Sequence, residues 1–146
     1  MTRLRSLGFG LGRLARGVVD GAESAVTAPP VARAGFRFAS SGAKLWGAAL
    51  GGTFSRHGAL TVVTGLPSWA FGRGGTCVGD TVLTSKPMTD AVLAHEDVHR
   101  KQWQRYGLAF IPLYYAAGLD PLRNRFEIEA GLEAGGYFKA GDKRYD

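Results

Sequence analysis

The chain of 146 residues contains a single cysteine, Cys77, and it has few long apolar runs. One cysteine excludes an internal disulfide and a zinc site built from several cysteines. No apolar run reaches the roughly 18 residues that argue for a membrane-spanning helix. A secretory signal needs an unbroken apolar stretch. Here arginines interrupt the apolar start of the chain, so the sequence predicts no signal peptide and a cytoplasmic protein. These arginines are Arg3, Arg5, Arg13 and Arg16.

Acidic residues are scarce in the first half of the chain. Through Gly79, nine Lys/Arg face two acids, which gives +7; from Asp80 onward, nine Lys/Arg face ten acids, which gives −1. This imbalance predicts an anionic partner. No specific nucleic-acid motif is present, because the aromatic-interleaved basic motif of an RNA module and helix-turn-helix cues are both missing. The start of the chain fits a basic amphipathic segment that binds an anionic membrane surface, and it fits a disordered basic tail equally well. A dispersed solubilising charge is the alternative.

Glycine is abundant, with 22 residues, and its uneven distribution divides the chain into regions of different composition. Residues 1–55 contain a Pro-Pro break and several turn-like stretches. They are predicted to form a basic, Gly-rich extension that is disordered or loosely helical, with short helices over 18–26 and 43–50. Residues 56–140 are predicted to form the folded domain, and residues 141–146 a frayed tail.

The pattern within residues 56–140 predicts an α+β fold. "TCVGDTVLTS" reads as two short strands joined by a turn at Gly79-Asp80. A helix is expected over 89–106, capped by Thr89 or Asp90 and ended by Gly107. A second helix is expected over 120–134, with Asp120 as its cap. The prediction is thus a hairpin or three-stranded sheet followed by two helices.

The stretch "HEDVH" on the first of these helices carries the chemistry. His95 and His99 are four residues apart, so their side chains lie on one helix face and can bind one tetrahedral zinc. Glu96 follows the first histidine and can reach a water on the metal without being a ligand. The spacing therefore predicts a Zn²⁺ site with Glu96 as the general base.

A third ligand is expected from "NRFEIEAG" on the second predicted helix. A catalytic zinc takes three protein ligands and keeps one position open. Glu127 and Glu129 are both available, and because they are two residues apart on a helix, only one can face the histidines. Glu133 is a weaker option. Spacing alone leaves the choice between Glu127 and Glu129 open.

The combination of "HEDVH" with a downstream "FEIEA" resembles the gluzincin metallopeptidases. The segment Glu127-x-x-Ala130 is similar to the Glu-x-x-Ala of the CAAX-processing and HtpX-like proteases, and the resemblance implies Glu127 as the third ligand. The chain, over roughly 76–134, also looks like short bacterial proteins with "HE..H..Q…YG…NpFE.EA" and no assigned activity. Their pattern matches His95, Glu96, His99, Gln102, Tyr106, Gly107, Asn124, Phe126, Glu127, Glu129 and Ala130.

The resemblance implies a zincin-like unit and a zinc-dependent metallopeptidase-like hydrolase acting on a peptide or protein. It also implies that an edge strand, expected at 80–85, holds the substrate. The chain departs from the larger proteases at Gly131, where they usually have an aspartate that steadies a ligand histidine. The alternative function is a zinc-binding protein without catalysis, or a basic scaffold at a membrane surface. Tyr106, Tyr114, Tyr115 and His57 could each donate a hydrogen bond to the oxyanion of a tetrahedral intermediate, but an ordinary structural role is favoured for each.

Overall fold

A computed structural model of the chain describes residue 21 and residues 24–138. The predicted tail at 141–146, the arginines of the start and most of the predicted helix 18–26 lie outside these residues. Short 3-10 turns occur at Ser68–Ala70 and Gly107–Ala109. In chain order the helices and strands are α1 (Pro29–Ala49), β1 (Thr53–His57), β2 (Leu60–Thr64), β3 (Thr76–Val78), β4 (Thr81–Leu83), α2 (Asp90–Tyr106), α3 (Phe110–Ala116) and α4 (Arg125–Ala130).

The four strands form one sheet in the order β1-β2-β4-β3, which confirms the predicted α+β class. β1 pairs with β2 and β3 pairs with β4 in antiparallel fashion, whereas β2 and β4 are parallel. The predicted turn between β3 and β4 is present. Gly79 has a φ of +63°, and a side chain there would collide with Ser40 of α1. This turn therefore requires glycine for its conformation and for the close approach of α1.

The position of β4 corrects one expectation. The strand predicted at 80–85 was assigned to the sheet edge, but Thr81–Leu83 pairs with β2 on one side and with β3 on the other. The edge strand on this side is β3. Its Cys77 carbonyl accepts a hydrogen bond of 3.0 Å from Trp103 Nε1 of α2. This bond joins the edge strand to the helix that carries the two histidines.

Helix α1 differs most from the sequence prediction, because it is a single helix of 21 residues where a loose extension was expected. The Pro-Pro pair begins the helix, since proline is well suited to the first helical position. One face of α1 is built from small residues, which allow close packing against α2 and the 107–109 turn. A domain boundary at residue 55 would thus separate α1 from the sheet and helices that it covers. The small buried residues of α1 are Ala32, Gly35, Ala39, Ser40, Ala43 and Gly47.

The two predicted helices of the site are present with different lengths. α2 begins after Thr89, whose side chain accepts a hydrogen bond from Val92 N, and ends at Gly107, as predicted. The second helix is shorter than expected. Its cap is Asn124 instead of Asp120, and Gly131, with a φ of +94°, ends it after six residues. No helix within the described residues has the length and apolarity that crossing a bilayer requires.

The core lies between the sheet and the helices α1, α2 and α4. Trp103, Phe110 and Phe126 fill its centre, and Phe110 contacts both other rings edge to face. This cluster fixes α4 against α2. The side chains that follow Phe126 on α4 are therefore held at a fixed position relative to the histidines of α2.

Candidate metal centre

His95, His99 and Glu127 converge at one buried point. The Nε2 atoms of the two histidines are 3.1 Å apart, and Glu127 Oε2 lies 3.2 Å from the first and 3.4 Å from the second. All three residues are buried. The spacing on α2 predicted that the histidines would share a face, and the structure adds Glu127 from α4. This group can hold a metal ion.

The proton positions on the two histidines follow from their outer partners. His95 Nδ1 lies 3.0 Å from the Gly131 carbonyl, which can only accept, so Nδ1 carries the proton. His99 Nδ1 lies 2.8 Å from Gln102 Oε1. Gln102 Nε2 donates to Phe126 O and Glu129 Oε2, which fixes the orientation of the amide. Both Nε2 atoms therefore present a lone pair towards Glu127.

Three lone-pair atoms around one buried point repel one another unless a positive charge lies between them. Glu127 Oε2 has no hydrogen-bond donor within the described residues. In tetrahedral zinc sites the metal–ligand distances of about 2.0–2.1 Å put ligand atoms roughly 3.3 Å apart. The three separations observed here agree with that value. The donor set and the spacing thus fit zinc.

The pKa values of Glu127 and His95 also indicate a positive charge at this point. Burial raises the pKa of Glu127, but interactions with the histidine rings in their protonated form and the hydrogen bond from Tyr114 outweigh burial and hold that pKa well below its ordinary value. Burial lowers the pKa of His95, yet its contacts with Glu127 and the Gly131 carbonyl leave it above the ordinary value. Both shifts show that a positive charge is stabilised at this point, and a proton or a metal ion can supply that charge.

Glu96 is a second buried acid, next to the group formed by His95, His99 and Glu127. It is 7% exposed, and its Oε2 atom has no hydrogen-bond partner within the described residues. Burial raises the pKa of Glu96, while the neighbouring histidines lower it by a smaller amount. A carboxylate that is buried, unpartnered and next to a cavity is suited to accepting a proton from a molecule bound there.

Tyrosine hydroxyls hold the outer oxygen of Glu127. Tyr114 donates to Glu127 Oε1, and its own pKa is raised by burial and by that carboxylate. Burial and the same carboxylate also raise the pKa of Tyr137. The sequence analysis favoured an ordinary structural role for Tyr114 over that of an oxyanion donor, and it did not single out Tyr137. Neither has a fixed spacing to the histidines, so only the folded chain brings them together.

The turn after α4 supplies a backbone contact to His95 in place of a side chain that the sequence lacks. The resemblance placed an aspartate at the position of Gly131, yet the backbone carbonyl of Gly131 accepts the His95 Nδ1 proton itself. Further along the turn, a Cβ atom added to Gly135 would lie 2.6 Å from the His95 ring. The main chain of this turn thus packs directly on His95 and orients it.

A cavity of about 610 Å³ opens beside the three ligand atoms and Glu96. Its wall on the sheet side is the loop before β3 and β3 itself, including Arg73 and Cys77. Burial raises the pKa of the Cys77 thiol, so this cysteine is an uncharged lining residue. The opposite wall is apolar and aromatic and comes from α3 and the segment after it: Phe110, Ile111, Tyr114, Tyr115, Leu119 and Pro121.

Some residues that were considered for the site do not belong to it. Glu129 is exposed on the other side of α4 and accepts a hydrogen bond from Gln102. Glu133 and His57 are exposed, the latter on β1. The geometry therefore chooses Glu127 from the candidates that spacing left open. Comparison of the chain with family models, with curated proteins and with solved structures finds no match.

Proposed function

We propose that the chain is a zinc-dependent hydrolase of the metallopeptidase type. His95, His99 and Glu127 would hold the metal, and Glu96 would act as the general base. The observation that carries the proposal is the triangle of lone-pair atoms, with sides of 3.1, 3.2 and 3.4 Å, next to an unpartnered carboxylate. No homologue supports it, so it depends on this geometry.

Zinc is the metal that best suits two imidazoles and one carboxylate at tetrahedral spacing. Three ligands and an adjoining cavity are the pattern of a catalytic site, whereas a structural site is closed by a fourth ligand. Within the described residues no further His, Cys, Asp or Glu joins the group. The fourth position would therefore face the cavity, where a substrate can reach it.

Each residue of the chain has a defined part in such a reaction. When bound, zinc would polarise a carbonyl and lower the pKa of a bound water to about 7. Glu96 would accept the proton of the attacking water and deliver it to the leaving amine. Tyr114 and the Gly131 carbonyl would hold Glu127 and His95 in place. The apolar wall of the cavity would bind the side chains of a peptide substrate.

A zinc-binding protein without catalysis is the second candidate, and the edge strand favours it. β3 has only three residues, and Trp103 already occupies the Cys77 carbonyl. Few backbone groups are left there to pair with an extended peptide. Both candidates have the same metal site, but only the hydrolase turns over a substrate. Metal binding is therefore tested first and catalysis second.

The first experiment measures metal content by elemental analysis after mild dialysis. Wild type should carry about one zinc per chain, and His99→Ala and Glu127→Gln should lose it. Glu133→Gln is the matched control, because it changes an exposed glutamate outside the ligands and their hydrogen-bond partners and should keep the zinc. Wild type without zinc, even after reconstitution, would contradict both candidates.

The second experiment separates catalysis from binding. Glu96→Gln should keep zinc and lose hydrolysis of an unstructured peptide library, followed by mass spectrometry, by about 10²–10⁴-fold. If zinc-loaded wild type cleaves nothing in this library, the non-catalytic candidate is favoured. Equal cleavage by wild type and Glu96→Gln would refute the assigned base.

A further inference from the structure

A strip of exposed apolar side chains follows α1 on the side away from the core. Val31, Phe38 and Leu45 recur every seven residues and so lie on one face of the helix. Phe38 and Leu45 are 72% and 73% exposed. Large apolar side chains at such exposure are common singly, but a continuous row of them marks a surface that binds something apolar.

A second exposed strip starts at Leu108 and continues along α3 to Leu119, which is 75% exposed. The two strips meet at Leu108, because its side chain packs over Gly35 of α1, where an added Cβ would lie 3.2 Å from Leu108 Cγ. Gly35 is one turn from both Val31 and Phe38. We call the combined surface the apolar face. It consists of Val31, Phe38, Leu45, Leu108, Ile111, Tyr115 and Leu119.

The charge on the α1 side of the apolar face is positive. The sequence has no acidic residue from Ser24 to Gly79, and residues 107–119 carry no charge. Arg33 and Arg37 are exposed on α1 and form a cleft with Phe36 and Gln104 of about 300 Å³. Within the described residues neither arginine has an ion-pair partner, whereas Lys44 of the same helix is bound to Asp80. Helix α1 thus carries two exposed cations in addition to one strip of the apolar face.

The apolar side chains and the positive charge together indicate what kind of partner binds the apolar face. A second copy in a symmetric pair would bring the same arginines together, and like charges oppose that contact. The start of this chain is itself basic, with Arg3, Arg5, Arg13 and Arg16 against Asp20 and Glu23. An anionic lipid surface satisfies both features, because apolar side chains enter the interface while arginines contact phosphate groups.

We propose that the apolar face docks onto a bilayer surface that contains anionic lipids. The inference is independent of the metal site, but it has a consequence for it. Ile111, Tyr115 and Leu119 belong both to the apolar face and to the cavity wall. Docking places the mouth of the cavity at the lipid surface, where apolar segments of other proteins are presented.

The test is cosedimentation of the full chain with vesicles of phosphatidylcholine alone or mixed with phosphatidylglycerol. Wild type should bind the mixed vesicles, and added salt should weaken binding. Phe38→Ser should weaken partitioning about tenfold, because it removes one large apolar side chain from the interface. Phe54→Ser is the matched control: Phe54 is 44% exposed on β1, outside the apolar face, and its loss should change nothing.

A charge variant tests the second half of the proposal. Removing both cations in Arg33→Gln/Arg37→Gln should weaken binding to the anionic vesicles by about fivefold for each arginine. No vesicle binding by wild type would overturn the proposal. So would equal binding by wild type, Phe38→Ser and the arginine variant. A wild-type dimer in light scattering that Phe38→Ser converts to a monomer would show that a second copy covers the face.

Discussion

At the scale of single residues, the site depends on groups that touch the ligands from outside. Tyr114 holds Glu127, Gln102 holds His99, and the Gly131 carbonyl holds His95. Each ligand thus has one oriented partner, and such partners usually affect metal affinity by about 10–100-fold when they are removed. The contacts from Tyr114 and Gln102 are therefore as accessible to mutagenesis as the ligands, whereas the contact from Gly131 belongs to the backbone.

Tyr114→Phe is the sharpest test of these contacts. The variant keeps the ring and its packing but removes the hydrogen bond to Glu127 Oε1, so zinc affinity should fall by roughly tenfold. Competition with a chromophoric chelator measures this affinity. Tyr115→Phe alters the adjacent, exposed tyrosine and should leave the affinity unchanged. Equal affinity in all three proteins would remove Tyr114 from the site.

The sequence predicted the residues whose relation is local and missed those whose relation is not. His95, Glu96 and His99 lie within one helical turn, so their geometry could be read from spacing alone. Glu127 was one of two candidates, because the direction in which α4 faces depends on Phe126 entering the core. Tyr114 and the Gly131 carbonyl act across long separations in the chain. No periodicity encodes such contacts.

At the scale of elements, Asn124 links three segments. Its side-chain oxygen caps α4 through Phe126 N, and its Nδ2 donates to the carbonyls of Tyr114 and Gly118. The sequence pointed to Asp120, which instead caps a surface turn through Leu122 N. The prediction was wrong because an Asp-Pro pair is a strong local start signal, whereas the buried hydrogen bonds of Asn124 depend on α3.

Replacement of the two caps distinguishes these assignments. Asn124→Ala should lower the free energy of unfolding by about 2–4 kcal/mol, since it leaves buried backbone groups without partners. Asp120→Ala should cost at most about 1 kcal/mol. Urea denaturation measures both. A larger loss in Asp120→Ala would support the cap that the sequence indicated.

Two glycines of α1 test how closely that helix packs on the core. A Cβ added to Gly35 would lie 2.6 Å from Leu108 N, whereas one added to Gly42 would meet no atom within 4 Å. Gly35→Ala should therefore destabilise the fold by about 1–3 kcal/mol. Gly42→Ala should stabilise it by about 0.5–1 kcal/mol through helix propensity. If both variants gain stability, α1 does not pack as described.

The sequence missed the role of α1 for a physical reason. The fully buried residues of its inward face are alanine, glycine and serine, while its larger apolar residues other than Phe36 are exposed. A pattern that equates large apolar side chains with the core therefore assigns this helix to the surface. The contacts of α1 with the core come instead from the close approach of its backbone to the neighbouring elements.

At the scale of the whole molecule, metal binding and stability should be linked. The ligands come from α2 and α4, so a bound ion joins two elements and favours the folded chain. Zinc at 100 times its dissociation constant adds about 2.7 kcal/mol, which corresponds to a rise in unfolding temperature of roughly 5–10 °C. Thermal denaturation with and without EDTA measures the shift. His99→Ala should show none, and an unchanged wild-type curve would contradict the linkage.

The turn that packs on His95 has a consequence for synthesis on the ribosome. Helix α2 can form as soon as residue 106 has emerged, but it then offers only two imidazoles. Glu127 follows His99 by 28 positions, and the Gly131 carbonyl and Gly135 come later still. The nascent chain thus exposes two of the three candidate ligands before the third exists. If the group holds a metal ion, tight binding would therefore be a late step of folding.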